Sequence, residues 1–298
     1  MRVLLAGATG AIGAHLVPKL LAAGHEVTGL VRRPGALEGT GADEIVADLL
    51  DRFAVLDAVE DDDFDAVIHQ ATDLARRPLQ YAHMLTTNRL RTEGTSTLIA
   101  VAHATGATRF VSASVFYGYG FGDFGTQPVI ESDVFGALGP RRLDPVTLAV
   151  LSNEQQTHAF GGVSLRYGLI YGVRPARLVA SDWDGELPML HVEDAATAAV
   201  LALEGGKDGE TYNIADTYPV SWRELQQASA IAAGRPFPLA VPSRVMQASM
   251  PYAAELFTRT SMRLSTAKAK KQLGFRPEYP GFADGLRASV EVGASAVD

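Results

Sequence analysis

Three glycines near the start of the chain have the spacing of a phosphate-binding turn. Gly7, Gly10 and Gly13 follow the apolar residues 3–6 and open a segment with helical periodicity. In such a turn the first glycine permits a tight bend, the second lets the backbone approach a pyrophosphate, and the third lets the helix pack closely on a sheet. Because the free N–H groups and the positive end of the helix face the phosphates, the sequence predicts a dinucleotide site.

Two arginines follow the second predicted strand, at the position that distinguishes one dinucleotide from another. An NAD-selective site carries a carboxylate there, which hydrogen-bonds the adenosine ribose. This chain has Val31, Arg32 and Arg33 instead. An arginine pairs with a 2′-phosphate that a carboxylate would repel, so we expect NADP as the cofactor, although an arginine also tolerates NAD. A solvated turn after the strand would carry the same residues, and that interpretation stays open at this point.

Strands and helices alternate along the first part of the chain, as they do in parallel sheets built from βαβ units. The pattern predicts an α/β fold with a Rossmann-type, doubly wound parallel sheet. The predicted strands are residues 3–6, 26–31, 44–46, 66–69, 108–113 and 163–167, and the predicted helices are residues 12–23, 52–59, 87–104 and 145–159.

Beyond Gly172 the alternation weakens. We therefore expect a dinucleotide-binding domain over residues 1–172 and a smaller C-terminal substrate lobe over residues 173–298, sharing one core. The lobe contributes a late strand, residues 211–214, to the fold. Ser221 and Glu224 form a capping box that opens a helix ended by Gly234, and a further helix is predicted for residues 265–274.

Composition limits the classes of function. The chain has 298 residues, of which 47% are hydrophobic and 20% charged, as is typical of globular proteins. A net charge of −8 without a basic face argues against nucleic acid as a partner. There is no cysteine, and the seven histidines lack metal-ligand spacing, so no metal is expected. No apolar run reaches the roughly 18 residues that span a bilayer, so we expect a cytoplasmic protein without a membrane partner.

Motifs further along the chain complete a wider pattern. They are Asp48, residues 67–71, Tyr119 with Gly120, and residues 165–172, 191–194 and 211–214. With the three glycines, they make the chain resemble an atypical extended short-chain dehydrogenase/reductase of the NAD-dependent epimerase/dehydratase type. The resemblance implies a cofactor lying over the strand ends. The expected cofactor contacts are Gly7, Thr9, Gly10, Ala11, Ile12, Gly13, Arg32, Arg33, Asp48, Leu49, Gln70, Ala71, Thr72, Asn88, Tyr167, Gly168, Leu169 and Ile170.

The same resemblance implies a catalytic tyrosine and, four residues later, a lysine. The lysine and the cofactor's positive ring lower the pKa of that tyrosine, so that its phenol exchanges a proton with the substrate while hydride moves. With the helix anchored on Glu154, these positions fall on Val146 and Val150. Neither valine transfers a proton, so the chain lacks the usual pair.

The expected catalytic hydroxyl is also displaced. Alignment on Tyr119 and Gly120 places it at Val115, and alignment on Tyr117 and Gly118 places it at Ala113. Nearby hydroxyls then become the candidate catalytic groups, and each of them also fits a structural role. The candidates are Ser112, Ser114 and Tyr167, with Tyr117, Tyr119, Asp123 and Tyr171 as further polar groups around the expected pocket.

Two hypotheses of function follow. The first is an NAD(P)-dependent oxidoreductase or epimerase that acts on a small carbonyl or hydroxyl compound with a non-standard proton donor. The second is a cofactor-binding protein without redox turnover, either a sensor or an isomerase or cyclase that uses the same pocket. The short connection before His191 and the acids Asp182, Asp184 and Glu186 favour a compact small-molecule substrate over a sugar diphosphate. The helix over residues 87–104 fits either a homodimer interface or packing on its own sheet.

Overall fold

The computed structural model describes residues 1–74, 78–139, 142–172, 181–232, 234–237 and 239–295. Seven strands form its main sheet: β1 (Arg2–Ala6), β2 (Glu26–Val31), β3 (Asp43–Val46), β4 (Ala66–His69), β5 (Arg109–Val115), β6 (Val163–Tyr167) and, later in the chain, β10 (Thr211–Ile214). All neighbours are parallel, in the order β10-β6-β5-β4-β1-β2-β3. The predicted doubly wound Rossmann-type sheet is confirmed, and its strand order reverses between β1 and β4, where ligands bind in such folds.

Helices cover both faces of this sheet. On one face α1 (Ala11–Ala22) packs against α6 (Val192–Gly205), with alanines of α6 fully buried in the core. On the other face lie α2 (Arg52–Ala58), α4 (Thr95–Ala104) and α5 (Asp144–Phe160). The apolar side of α4, which includes Leu98 and Val101, is buried against the sheet. The homodimer expected from this helix stays a prediction.

The predicted helix over residues 87–104 is interrupted. It consists of α3 (Leu85–Arg89), a π-helical turn at Leu90–Gly94, and α4. The carbonyl of Leu90 accepts a hydrogen bond at 3.1 Å from Nε2 of His69, at the end of β4. This side-chain bond competes for a helical carbonyl at the turn, and π-turns of this kind are frequent at functional sites.

The C-terminal part is built from short elements. Two small sheets pair β7 (Leu169–Tyr171) with β9 (Met189–His191), and β8 (Glu186–Leu187) with β11 (Val220–Ser221). The remaining helices are α7 (Trp222–Ala232), α8 (Ser243–Ser249), α9 (Pro251–Arg259), α10 (Ala267–Gln272) and α11 (Phe282–Ser295). The boundary between residues 172 and 173 stays a prediction, because residues 173–180 lie outside the described part of the chain.

The capping box before α7 is confirmed. The Ser221 N–H donates to the Glu224 carboxylate at 2.9 Å, and the Glu224 N–H donates to the Ser221 hydroxyl at 3.2 Å. The sequence analysis missed α6, α8, α9 and α11, and the alanine-rich pattern of α6 was the clearest signal left unused. Among the described residues, no helix is long and apolar enough to cross a membrane.

Candidate functional site

The β1–α1 turn is built from backbone in close contact with the end of β4. Gly7 has φ +92°, and a Cβ there would lie 2.6 Å from the Gln70 carbonyl carbon. A Cβ on Gly13 would lie 2.1 Å from the Gly7 oxygen. A Cβ on Gly10 would meet only the Gly7 oxygen, at 3.1 Å, and Gly10 has an ordinary extended backbone. The fold therefore requires glycine at 7 and 13, whereas Gly10 is exposed and a Cβ there would meet a single backbone atom, so its outer side is accessible to a group that approaches from solvent.

The N-terminus of α1 is free to bind an anion. Gly10 caps the helix without a side-chain hydrogen bond, and the first turn carries no acidic residue. Thr9, Gly10 and Ala11 are exposed, and Ile12 is half-buried. Uncapped N–H groups at a helix start are suited to a pyrophosphate, so this turn fits the dinucleotide.

The loops after β2 and β3 surround the expected adenosine position. Arg32 and Arg33 are exposed, and neither forms a salt bridge with any residue that the structure describes. Asp48 is also exposed, and one of its carboxylate oxygens accepts from the Leu50 N–H at 3.0 Å. Leu49 differs, because its side chain is buried in the core and packs beneath Gly94. Only the Leu49 backbone is therefore placed to meet a cofactor.

Three buried polar atoms without a hydrogen-bond partner lie in segments around the end of β4. They are Oε1 of Gln70, Oδ1 of Asn88 and Nη1 of Arg91. Buried polar atoms are nearly always paired in native proteins, so unpaired ones at a binding edge fit a polar ligand. Gln70 and Asn88 are both expected cofactor contacts. Of the neighbouring predicted contacts, Ala71 is half-buried and Thr72 exposed.

His69 has a structural role at this edge. Burial lowers the pKa of His69 to about 4, so its ring is neutral near pH 7. Nε2 donates to the Leu90 carbonyl at 3.1 Å, and Nδ1 accepts from the Ala71 N–H at 3.3 Å. The two bonds require one neutral tautomer and leave neither nitrogen free as a base.

At the two positions expected for tyrosine and lysine, both the residues and their surroundings are apolar. Val146 and Val150 on α5 are 2% and 0% exposed, in a cluster that also contains Phe116 and Met84. One turn further along α5, Glu154 forms a buried bidentate ion pair with Arg166, at 2.9 and 2.8 Å. This carboxylate ties α5 to β6, which is a structural function.

The three candidate catalytic hydroxyls are all engaged inside the protein. Ser112 is fully buried and contacts Asn153 and Thr157, at 3.3 and 2.9 Å. Ser114 donates to the Glu154 carboxylate. Tyr167 donates to the Ala195 carbonyl at 3.3 Å and accepts from Gln70 at 3.2 Å, and its burial raises its pKa. These placements argue against Ser112 and Ser114 as substrate contacts, because neither hydroxyl is free. Tyr167 is linked to the expected cofactor edge only through Gln70.

The segment Gly168–Ile170 is fixed by a neighbouring strand. A Cβ on Gly168 would lie 2.6 Å from the Pro188 carbonyl oxygen, and the Leu169 N–H donates to that oxygen at 2.7 Å. Leu169 and Ile170 are half-buried. The glycine is thus explained by the approach of the 188–189 backbone, and the predicted cofactor contact of this segment stays a prediction.

Buried carboxyls join the two parts of the chain. Asp216, after β10, accepts from the Tyr171 hydroxyl at 2.9 Å and the His191 N–H at 3.2 Å, and burial raises the pKa of Asp216 to about 7. Asp194 accepts from the backbone N–H groups of Glu278 and Tyr279 at 2.8 and 3.1 Å. Burial also lowers the pKa of His191 to about 4. These motif residues hold the lobe to the sheet.

The acidic residues expected to repel a diphosphate are mostly neutralised. Glu186 is paired with Arg263 at 2.8 Å, and Asp184 with Arg223 at 3.4 Å. Asp182 accepts a hydrogen bond from Ser243. The charge argument against a sugar diphosphate therefore loses its basis, because two of the three carboxylates have cationic partners. In the described part of the chain, no group of three or more His, Cys, Asp or Glu side chains could hold a metal.

The sequence analysis missed Arg91. This residue lies in the π-helical turn, is 5% exposed, and donates from Nη2 to the Tyr117 hydroxyl at 2.8 Å. Tyr117 follows β5 and belongs to the same apolar cluster as Val146 and Val150. Nothing in the local pattern distinguishes Arg91 from the exposed Arg89 two residues earlier. Only its burial identifies it.

A doubly wound parallel sheet with a glycine turn at its reversal point defines a Rossmann-type dinucleotide-binding protein. Comparison with known families makes the assignment specific. Residues 3–215 match the NAD dependent epimerase/dehydratase family, and the chain belongs to that family. Its cofactor is thus a nicotinamide dinucleotide, either NAD or NADP, and the resemblance inferred from the sequence motifs is confirmed.

A characterised relative covers nearly the whole chain. The 3-diazoavenalumate denitrifying reductase of a Streptomyces species is 34% identical over an alignment of 312 positions, which spans 96% of this chain and 99% of the relative. The reductases and epimerases among the relatives show that the chain is an enzyme of the oxidoreductase or epimerase type. They do not favour a cofactor-binding protein without turnover.

Solved structures share the architecture. The UDP-glucose 4-epimerase of Thermus thermophilus, in complex with NAD, is 26% identical, with a TM-score of 0.78 over 99% of this chain and 100% of that chain. The UDP-glucose 4-epimerase of Thermotoga maritima, solved with UDP-glucose, has a TM-score of 0.80 over the full length of both chains. Its identity is 20%, so this second likeness concerns the fold alone.

Proposed function

We propose that the protein is a reductase that uses NADPH to remove the diazo group of a small aromatic compound as dinitrogen. The observation that carries this proposal is the apolar burial of Val146 and Val150, where the family resemblance calls for a tyrosine and a lysine. A substrate that takes up hydride without a proton from the enzyme fits such a site.

The chemistry explains why the pair is dispensable. Reduction of a carbonyl builds negative charge on oxygen and benefits from a proton donor. An arenediazonium ion is already positive, so hydride adds to its terminal nitrogen without an acid, and Ar–N₂⁺ becomes Ar–N=N–H. The C–N bond of Ar–N=N–H then breaks, and its electron pair stays on carbon. The electron pair of the N–H bond forms the third bond of N₂. The proton released in this step reaches the carbon through solvent. The products are Ar–H and N₂.

When bound, the dinucleotide supplies the hydride, and the chain's task is to hold and orient it. The free N–H groups at the start of α1 fit its pyrophosphate. The unpaired amide oxygens of Gln70 and Asn88 can accept hydrogen bonds from its donor groups. The exposed Arg32 and Arg33 support NADP over NAD, because each guanidinium is available to a 2′-phosphate.

The relative supports the substrate class. Its name describes denitrifying reduction of a diazo compound, and the alignment spans almost all of both chains. A carbonyl compound is the second candidate, favoured by the Tyr117 hydroxyl, which lies 2.8 Å from Nη2 of Arg91 in the same apolar cluster as the two valines.

The test compares two probes that share a ring and a carboxylate. Purified protein and NADPH are incubated with 4-carboxybenzenediazonium or with 4-carboxybenzaldehyde, and NADPH oxidation, N₂ and benzoate are measured. We expect one NADPH consumed for each benzoate and N₂ formed, with the aldehyde unchanged. Reactions without protein, and with a Gly10→Val variant, correct for direct reduction of the diazonium ion by NADPH.

Reduction of the aldehyde alone would overturn the diazo proposal in favour of the carbonyl candidate. Absence of turnover with both probes in a protein that binds NADPH would overturn it as well. Parallel titrations with NADPH and NADH test the cofactor, and at least about tenfold tighter NADPH binding is expected from one guanidinium–phosphate contact.

A further inference from the structure

Arg91 is an unusual residue for the interior of this protein. It is 5% exposed, and its charge also contributes to the lowered pKa of His69, which places it at the carboxyl end of β4. Among the described residues no carboxylate forms a salt bridge with it. By contrast, the other strongly buried arginine, Arg166, has the Glu154 carboxylate as its partner.

The guanidinium is only partly satisfied. Nη2 donates to the Tyr117 hydroxyl at 2.8 Å, whereas Nη1 is buried without a hydrogen-bond partner among the residues that the structure describes. A buried charge without a counter-ion is costly, and a guanidinium presents a planar fork that matches a carboxylate. Arg91 thus retains hydrogen-bonding capacity for an anion that the described part of the chain does not supply.

The surroundings of Tyr117 are aromatic. Its ring stacks on Phe121 with centroids 5.5 Å apart, and Phe121 contacts Tyr252 edge-on at 6.5 Å. Phe121 is half-buried, whereas Tyr117 and Tyr252 are buried. Offset stacks and edge contacts of this kind suit a planar ring as an additional neighbour.

We propose that Arg91, positioned by Tyr117, is an anion subsite for the carboxylate of a small aromatic acid whose ring lies against Tyr117 and Phe121. The assignment rests on the proposed function, which it deepens by specifying an anionic aromatic substrate. The phosphates of the cofactor are the other source of an anion. The start of α1 already offers them uncapped N–H groups, so Arg91 is assigned to the substrate.

The test measures binding and does not depend on turnover. Protein saturated with NADP⁺ is titrated calorimetrically with cinnamate and with cinnamamide, which differ in charge but share shape. We expect cinnamate to bind at least about tenfold more tightly, as a charge-assisted pair implies. In Arg91→Met this preference disappears, while the affinities for cinnamamide and for NADP⁺ are unchanged.

Two variants complete the design. Arg89→Met, which replaces an exposed arginine on the preceding turn that pairs with Glu93, is the matched control and keeps the preference. Tyr117→Phe removes the hydroxyl that holds Nη2, and we expect it to reduce the preference by about threefold. Thermal melts check that each variant is folded, and the comparison of the two ligands on the unmodified protein needs no variant at all.

Equal affinity for cinnamate and cinnamamide on the unmodified protein would overturn the subsite. Weaker NADP⁺ binding in Arg91→Met with the ligand preference retained would also overturn it, because Arg91 would then hold the cofactor. If the preference is found but 4-carboxybenzenediazonium is not reduced, the subsite stands and the proposed reaction fails.

Discussion

The two ends of the expected cofactor site differ in the groups that form them, which are backbone groups at one end and side chains at the other. At the β1–α1 turn the groups expected to bind are backbone N–H groups, and glycine is required at 7 and 13 because a Cβ there would lie 2.6 and 2.1 Å from other backbone atoms. At the β5–α5 end the site is made of side chains, and Val146 and Val150 stand where the resemblance implies proton-transfer groups. Backbone geometry survives sequence change, whereas side-chain chemistry changes with a single substitution. We therefore expect the first end to determine which cofactor binds and the second to determine the reaction.

The largest expected effect is a loss of stability when a charge is placed at the β5–α5 end, and it tests whether that end is apolar. Val150→Lys places an ammonium group at a fully buried position in an apolar cluster. We expect the free energy of unfolding to fall by more than about 3 kcal/mol, because the charge has no partner there. Denaturant titration measures the loss.

Leu148→Lys is the matched control on the same helix, because Leu148 is 48% exposed. Its unfolding free energy should change by no more than about 0.5 kcal/mol. A Val150→Lys protein as stable as the parent, and able to reduce 4-carboxybenzaldehyde, would show that the two ends of the site are less different than their packing indicates.

The next effect concerns the backbone-built end. Gly10→Val adds a side chain above the α1 N-terminus, where a Cβ meets only the Gly7 oxygen at 3.1 Å. We expect NADPH affinity to fall by about a hundredfold through loss of roughly two charge-assisted hydrogen bonds, with stability nearly unchanged. Calorimetry and thermal melts separate the two quantities.

Gly205→Val serves as its control, because a Cβ at Gly205 has no neighbour within 4 Å. That variant should bind NADPH like the parent. Unchanged affinity in Gly10→Val would mean that the pyrophosphate lies elsewhere, and the assignment of the first end would be wrong.

The smallest expected effect is a pH dependence of stability that arises from Asp216, which lies outside both ends of the expected cofactor site. Burial raises the pKa of Asp216 to about 7 from 3.8, so the native state holds this proton more tightly than the unfolded chain. The stabilisation is complete below pH 3.8 and is lost as the pH rises through about 7. Asp216→Asn removes this dependence and preserves an acceptor for the His191 N–H.

Relative to Asp216→Asn, the parent should lose unfolding free energy steadily across that window, as measured by denaturant titration at several pH values. The lowered pKa of His191, about 4, acts in the opposite direction, since a neutral native histidine gains stability as pH rises. Because His191 is present in both proteins, subtracting the two curves isolates Asp216. A flat difference would show that Asp216 is ionised in the native state.

Much of the sheet was predictable because its signals are local. The predicted strands of the main sheet agree with the structure to within two residues, since β-branched runs bounded by glycine and polar turns specify them directly. The predicted helix over residues 87–104 was wrong in one respect, because its π-helical turn coincides with a bond from His69, 21 residues away in sequence. The candidate catalytic hydroxyls stay a prediction, and their hydrogen-bond partners could not be inferred locally, since the partners of Ser112, Ser114 and Tyr167 lie 28 to 97 residues away in sequence.

Residue types and their spacing were enough to define the order of the main-sheet strands and their helices up to β6, the glycine turn and the valines at the positions expected for tyrosine and lysine. These features follow from local periodicity and identity, which need no knowledge of distant contacts. Only the tertiary structure shows which polar groups already have a hydrogen-bond partner. The Ser114 hydroxyl is hydrogen-bonded to Glu154, and the Tyr167 phenol is hydrogen-bonded to Ala195 and Gln70. Arg91 is buried, and its Nη1 has no hydrogen-bond partner among the described residues. Hydrogen-bond satisfaction is a property of groups brought together by folding, and no local pattern encodes it.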